Sequence, residues 1–225
     1  MTRGVFITGT DTGVGKTHVA AALLRAWARR GLRVAGMKPV AAGAVLRGGV
    51  LRSEDAEALV AAANVEAPWE WVNPYCFAPP IAPHIAAERA GVCIEPAVIR
   101  NAFDRLGERA DRIVVEGAGG LLVPLNECQD MAHLVRELEL PVLLVVGMRL
   151  GCLNQALLTA EAILARRLTL AGWVANGIDP GMEEVDANLA TLRRRIAAPC
   201  LGYLRHGASG AGLACPGDIN FSSFE

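Results

Sequence analysis

Apolar residues in this chain gather in short, nearly unbroken runs separated by longer mixed segments. Val5-Phe6-Ile7, Ile113-Val114-Val115 and the stretch LPVLLVVGM at positions 140–148 are the clearest. Unbroken runs of this length mark strands covered on both faces, which is the habit of parallel sheets. The pattern predicts strands at 4–8, 33–40, 111–116, 141–146, 170–176 and 200–204. Helices are predicted at 16–30, 54–63, 82–90, 95–109, 131–138, 152–166 and 183–196. A glycine-rich segment covers 43–49, and a proline-laden stretch at 68–83 reads as an ordered loop packed near a site. From His206 onward the tail is glycine-rich and loop-like, closing in Asp218-Ile219-Asn220-Phe221. Strands alternating with helices imply right-handed βαβ units, hence an α/β fold: a parallel sheet with helices on both faces. With no internal repeat and no linker, residues 1–225 are expected to form one domain.

Composition narrows the class. The chain has 225 residues, is 52% hydrophobic and carries a formal net charge of −1. That balance argues against a nucleic-acid surface or a polybasic membrane patch. The arginines at 193–195 fall on a predicted surface helix, where a solvated face explains them. No apolar run reaches the roughly 18 residues of a membrane span. Six cysteines, scattered without a C-x-x-C pair, suit neither a zinc site nor a disulfide framework, so a cytoplasmic protein is expected. The histidines at 18, 84, 133 and 206 show no metal-ligand spacing. Trp27, Trp69, Trp71 and Trp173 read as core or interface anchors.

The most specific local signal is VFITGTDTGVGKT at 5–17, where a strand enters a glycine-rich turn that opens a helix. This is the context of a phosphate-binding loop. Glycines let backbone N–H groups turn onto phosphate oxygens, and the helix N-terminus adds partial positive charge. Lys16 would supply a point charge for the β- and γ-phosphates, and Thr17 a hydroxyl for magnesium. Five residues rather than the usual four separate Gly9 from Gly15, so the loop is one residue longer. The whole motif sits in a P-loop NTPase-like α/β framework. Ligands bind outside the carboxyl ends of parallel strands, and other chemistry-bearing residues stand at such ends. Lys38, flanked by apolar residues in MKPV, needs a partner anion if buried. Glu116 follows an apolar run, the position of a magnesium carboxylate in nucleotide-hydrolysing folds. Asp55 could simply charge the first turn of a helix, and Asp11 could be no more than a turn residue. His18 would pack or touch nucleotide, and Asn176 closes a later strand.

Six ordered segments together resemble the dethiobiotin synthetase family. They are GTDTGVGKT (9–17), AGMKPVAAG (35–43), VNPYCFAPPIAPHIA (72–86), VEGAGGLLVPL (115–125), LPVLLVVGMRLGCLNQALLT (140–159) and LAGWVAN (170–176). The resemblance implies a ligase that uses ATP, magnesium and CO2 or bicarbonate to close a ureido ring on 7,8-diaminopelargonate. It implies Lys16, Lys38 and Thr12 at the reacting groups, and magnesium held by Thr17, Asp55 and Glu116. Nucleotide would lie along Gly13, Val14, Gly15, Lys16, Thr17 and His18, with Gly117, Ala118 and Gly119 approaching closely. Asn176 would read the adenine edge, with Gly177 beside it. The diamine would meet Thr12, Lys38, Ala42, Gly119, Val123 and Pro124. Its tail carboxylate would meet the helix start at Gly151, Cys152, Leu153 and Asn154 of a neighbouring subunit, so a homodimer is implied. Three positions depart from the family: Ala42 replaces a frequent serine, Gly13 a frequent acid, and Arg205-His206 lacks the usual proline-containing adenine loop. One rival reading, an amidotransferase-type cobyric acid synthase domain, would bring a glutaminase module with a nucleophilic cysteine, and none is evident. A second, a partitioning or cell-division positioning ATPase, would carry lysine where Asp11 stands.

Overall fold

The computed structural model describes residues 4–207 together with Ile219 and Phe221. β1 (Gly4–Gly9) runs through the glycine-rich turn into α1 (Lys16–Arg29), which returns to β2 (Val34–Met37). The chain then makes a detour: β3 (Val40–Ala42), a hairpin of β4 (Val45–Arg47) and β5 (Val50–Arg52), and α2 (Glu54–Ala62). The one-turn α3 (Trp69–Val72), β6 (Tyr75–Phe77), α4 (Pro83–Arg89) and α5 (Pro96–Arg109) follow. Thereafter the alternation is regular, through β7 (Arg112–Gly120), α6 (Met131–Leu138), β8 (Val142–Met148) and α7 (Cys152–Ala165). It ends with β9 (Leu170–Gly177), α8 (Val185–Arg195) and β10 (Cys200–Leu204).

Six strands form the central sheet in the order β10-β9-β8-β1-β7-β2, every pairing parallel. β1 therefore lies between β8 and β7, and the ends of all three converge beside the glycine-rich turn. Two apolar layers cover the sheet. Val5, Ile7, Val114 and Val145 pack against Val19, Leu23 and Trp27 of α1 and Leu59 of α2. Phe6, Ile113, Val115 and Leu144 face the other way, onto residues of α5, α6, α7 and α8. Successive strand residues thus serve opposite layers, which is why the strands read as unbroken apolar runs. Trp27 and Trp173 are buried in these layers. Trp69 and Trp71 are half-buried and lie under arginines, Arg52 over the first and Arg105 and Arg109 over the second.

The α/β architecture and the order of the main elements match the pattern-based expectation, while several boundaries do not. The strand expected at 111–116 continues through the glycines to Gly120, because Gly9 of β1 still pairs with Gly120 beyond a bulge. The strand expected at 33–40 breaks after Met37. Pro39 carries no N–H for a ladder, and Val40 moves to a small separate sheet with β6. The segment at 43–49 holds half of a hairpin, turned by Gly48 and Gly49 at φ of 57° and 81°. The stretch at 68–83 is ordered but contains α3 and β6. The tail beyond Gly207 lies outside the described residues except Ile219, bridged to Gly202, and Phe221, both buried.

Candidate active site

The phosphate-loop backbone is shaped by its glycines. Gly13 and Gly15 have φ of 74° and 90°, left-handed conformations in which an L side chain is strained. At Gly15 a β-carbon would also overlap the Asn176 amide, which donates to the Val14 carbonyl at 2.8 Å. Val14 itself is buried, wedged against Gly9 and Gly147. Asp11 does more than turn the chain. One carboxylate oxygen accepts from the Thr12 N–H at 2.8 Å, and the other pairs with Arg149 beyond the end of β8 at 2.7 Å. Lys16 folds back so that its Nζ donates to the Asp11 carbonyl at 2.8 Å.

Beside this loop opens a cleft of about 730 Å³. Thr12, Gly13, Gly15, Lys16 and Thr17 form one wall, and Lys38, Asp55, Glu116, Ala118 and Gly119 the floor. Ala41, Ala42, Val123 and the turn of Pro80, Ile81, Ala82 and Pro83 close the opposite side. The start of α1, the end of β2 and β7 thus deliver Lys16, Lys38 and Glu116 to one point, and α2 brings Asp55 from its first turn.

Charges in the cleft are paired closely. Lys38 Nζ lies 2.7 Å from Glu116 Oε1 and 2.7 Å from Asp55 Oδ2, and 3.4 Å from the Gly117 carbonyl. The Thr17 hydroxyl lies 3.0 Å from Asp55 Oδ1 and 2.9 Å from Glu116 Oε1, and its single proton serves one at a time. Lys38 is 3% exposed and Glu116 1%. Burial alone would lower the Lys38 pKa, yet Glu116 and Asp55 outweigh it and hold the ammonium above its ordinary value. Burial likewise works against the Asp55 carboxylate, and Lys38 with the Thr17 hydroxyl reverses that, leaving its pKa lowered. Among the described residues no carboxylate pairs directly with Lys16: burial first, and the neighbouring Lys38 second, bring its pKa down to about 8 against the weaker pull of Glu116, Asp55 and Asp11.

Among the described residues no three His, Cys, Asp or Glu side chains cluster as a self-sufficient metal site. Glu116 Oε2, however, is buried without any hydrogen-bond partner. An orphaned buried carboxylate oxygen beside a second carboxylate and a hydroxyl suits a hard divalent cation that keeps waters and phosphate oxygens as its other ligands.

The other residues singled out from sequence divide into those brought to the cleft and those left outside its lining. Thr12, Ala42, Ala118, Gly119 and Val123 line it. Gly117 lies beneath, where a β-carbon would press on Phe6. His18 is half-buried on α1 and does not line the cleft; burial, then Arg25, lowers its pKa. Asn176 and Gly177 stand behind the phosphate loop at the end of β9, Gly177 against Tyr203 and His206. Pro124 is exposed and bridges to Asp130. Gly151, Cys152, Leu153 and Asn154 start α7 and do not line their own chain's cleft, and the Cys152 N–H is already bonded to the Arg149 carbonyl. The proline-laden stretch expected to pack near a site does so through Pro80 to Pro83, whereas sequence reasoning missed the Asp11–Arg149 pair and Asn73, which bonds the Lys38 backbone. An asparagine inside the apolar phrase WVNPY was the available signal for the last.

A glycine-rich loop between a central parallel strand and a helix, with lysine, threonine and two carboxylates at its mouth, defines a P-loop nucleotide-binding protein. A family model described as an AAA domain matches residues 3–207. The chain is 57% identical over 204 residues to the ATP-dependent dethiobiotin synthetase BioD of Aromatoleum aromaticum, covering 91% of each chain. To the protein of the same name from Nitrosospira multiformis it is 55% identical, covering 91% of this chain and 88% of that one. The chain belongs to the ATP-dependent dethiobiotin synthetase family, ligases of biotin biosynthesis. Its fold is shared with the septum site-determining protein MinD of Pyrococcus horikoshii, complexed with Mg-ADP. That likeness has a TM-score of 0.53 at 17% identity and covers 91% of this chain and 82% of the other. Signal recognition particle 54 kDa protein from Aeropyrum pernix, in complex with GDP, has a TM-score of 0.53 at 18% identity, covering 98% and 44%. At such identities the fold alone is shared.

Proposed function

We propose that this cleft closes the ureido ring by positioning and charge neutralisation, with no covalent enzyme intermediate. One amine of 7,8-diaminopelargonate attacks CO2 and loses a proton, giving a carbamate. A carbamate oxygen then attacks the γ-phosphorus of ATP, and the bond to ADP breaks. The second amine attacks the carbonyl carbon of the resulting anhydride and loses a proton, and phosphate leaves as the ring closes. Negative charge therefore collects where carbamate and γ-phosphate meet, and cations must be placed there in advance. The observation that carries the reading is the pair of buried lysines, Lys16 at the start of α1 and Lys38 just past β2, brought to one cleft. Thr12 borders the same space and would orient the reacting groups.

Magnesium would be held by Thr17, Asp55 and Glu116, where it would offset phosphate charge; the orphaned Glu116 oxygen supports this. Gly119 and Val123, with Ala42 opposite, would shape the room for the diamine. Asn176 and Gly177 would lie on the adenine side. Gly151, Cys152, Leu153 and Asn154 do not line their own cleft, and their contact with a substrate carboxylate would come from a second copy of the chain. Leu150, 96% exposed at the head of α7, and the exposed Leu158 on α7 support a homodimer through this helix. The five described cysteines are free thiols, as suits an enzyme of the reducing cytoplasm.

The test is phosphate release from ATP, magnesium and bicarbonate, with and without 7,8-diaminopelargonate. We expect release to depend on the diamine and to match the cyclic urea formed. Release indifferent to the diamine would refute the mechanism.

A further inference from the structure

Lys38 stands where the chain leaves the central sheet, and its backbone is clamped there by the last residue of α3 and the segment that follows. The Lys38 N–H donates to the Val72 carbonyl at 2.8 Å. Asn73 Nδ2 donates to the Lys38 carbonyl at 2.6 Å and to the Tyr75 carbonyl at 3.1 Å. The Tyr75 N–H in turn donates to the Pro39 carbonyl at 3.2 Å, and Val40 pairs with Tyr75 in the small sheet. Pro39 has no N–H, so β2 could not have continued its own ladder through this corner. The Asn73 side chain supplies the bond that the broken ladder lacks.

Several features set Asn73 apart from an ordinary core residue. It is 3% exposed, and both protons of its amide are spent on backbone carbonyls at this bend. Its Oδ1 is buried with no partner, a standing cost that packing alone would remove by substituting an apolar residue. It does not line the cleft, so it touches neither nucleotide nor diamine directly. A serine or alanine there would be too short to bridge two carbonyls, and an aspartate would set a carboxylate against them.

We propose that Asn73 is a positioning residue for Lys38: it locks the strand-to-strand corner so that only the lysine side chain moves as substrates arrive. The proposal rests on Lys38 acting at the reacting groups. Loosening the corner displaces the ammonium from the developing charge, and displacements of about 1 Å cost on the order of a hundredfold in rate. The phosphate loop is built from β1 and α1 and does not depend on this corner.

The test is a double-mutant cycle of Asn73→Ala and Lys38→Met, reading kcat for dethiobiotin formation, KM for ATP and thermal stability. Asn73→Ala should lower kcat about tenfold to a hundredfold while KM for ATP stays within about twofold. In the Lys38→Met background the same change should alter residual kcat by less than about twofold, because its target is gone. Wild-type kcat in folded Asn73→Ala, or losses that multiply across the cycle, would overturn the proposal. If Lys38→Met itself kept full kcat, the role of Lys38 would fall and the proposal with it. A damaged Lys38→Met with multiplying losses removes Asn73 alone. Should Asn73→Ala fail to fold, Asn73→Ser, which keeps one donor, is judged by the same criteria.

Discussion

At the start of α1, beyond the turn that follows β1, Lys16 is folded onto a neutral carbonyl of its own loop; at the end of β2, Lys38 sits between two carboxylates. Both are nearly buried, at 7% and 3% exposure, yet the first has its pKa brought down to about 8 and the second has it raised. The difference lies in who supplies the counter-charge. The β2 corner carries its own anions, so Lys38 is stable in the ligand-free protein and must exchange partners to act. The phosphate loop gives Lys16 no carboxylate in direct contact, and under the proposed function a nucleotide phosphate would complete it. One lysine is thereby suited to holding ATP, the other to the chemistry that follows.

The contrast breaks most visibly at Lys38. Lys38→Met should lower kcat on the order of a thousandfold, as losing a cation preorganised for transition-state charge does. KM for ATP should stay within a few-fold, because the phosphate loop keeps its own lysine. Steady-state kinetics with each substrate varied decide the matter. Equal collapse of ATP binding and turnover would make Lys38 a plain nucleotide contact and erase the distinction.

Lys16 offers the opposite experiment. Its depressed pKa means that the unfolded chain binds this proton more tightly than the folded one. The charged lysine therefore costs stability below about pH 8, and the cost is relieved as pH rises from about 8 towards the unfolded value near 10.5. Lys16→Met should stabilise the ligand-free protein at pH 7 by roughly 1–3 kcal/mol while abolishing useful ATP binding. Urea denaturation of both proteins from pH 7 to 10 checks it: the gap should narrow as pH rises. A gap independent of pH would show that Lys16 is fully compensated by its surroundings, as Lys38 is.

How legible these regions were follows the same division. The phosphate loop is contiguous, and its glycines, Lys16 and Thr17 carry a pattern with a local mechanical reason, so sequence alone located it. Lys38 and Glu116 were legible because a charge ending an apolar run is costly without a partner. Their union with Asp55 and Thr17 was reachable only through family resemblance, since it depends on which strands become neighbours. The apolar run predicts a strand that stops at Glu116, whereas pairing with β1 keeps the following glycines extended as far as Gly120. Asn73 and Lys38 lie 35 positions apart, and Asp11 and Arg149 lie 138 apart. No local periodicity encodes such contacts. Both were missed because tertiary packing, not propensity, makes them.

The Asp11–Arg149 pair gives the smallest effect and the finest test of what shapes the loop. Its side chains are 41% and 47% exposed, so solvent screens the pair heavily. Asp11→Asn should cost less than about 1 kcal/mol of stability, the usual range for exposed pairs. The Lys16 ammonium is held by the Asp11 backbone carbonyl, which the substitution leaves in place. If the glycines and the Asn176 bond to Val14 fix the loop, KM for ATP should change by less than about threefold, and the pKa of Lys16 should stay near its depressed value. A large rise in KM with unchanged stability would mean instead that Arg149, reaching over from β8, holds the loop open for phosphate. The β1 site would then be no more self-made than the β2 corner, whose shape depends on Asn73.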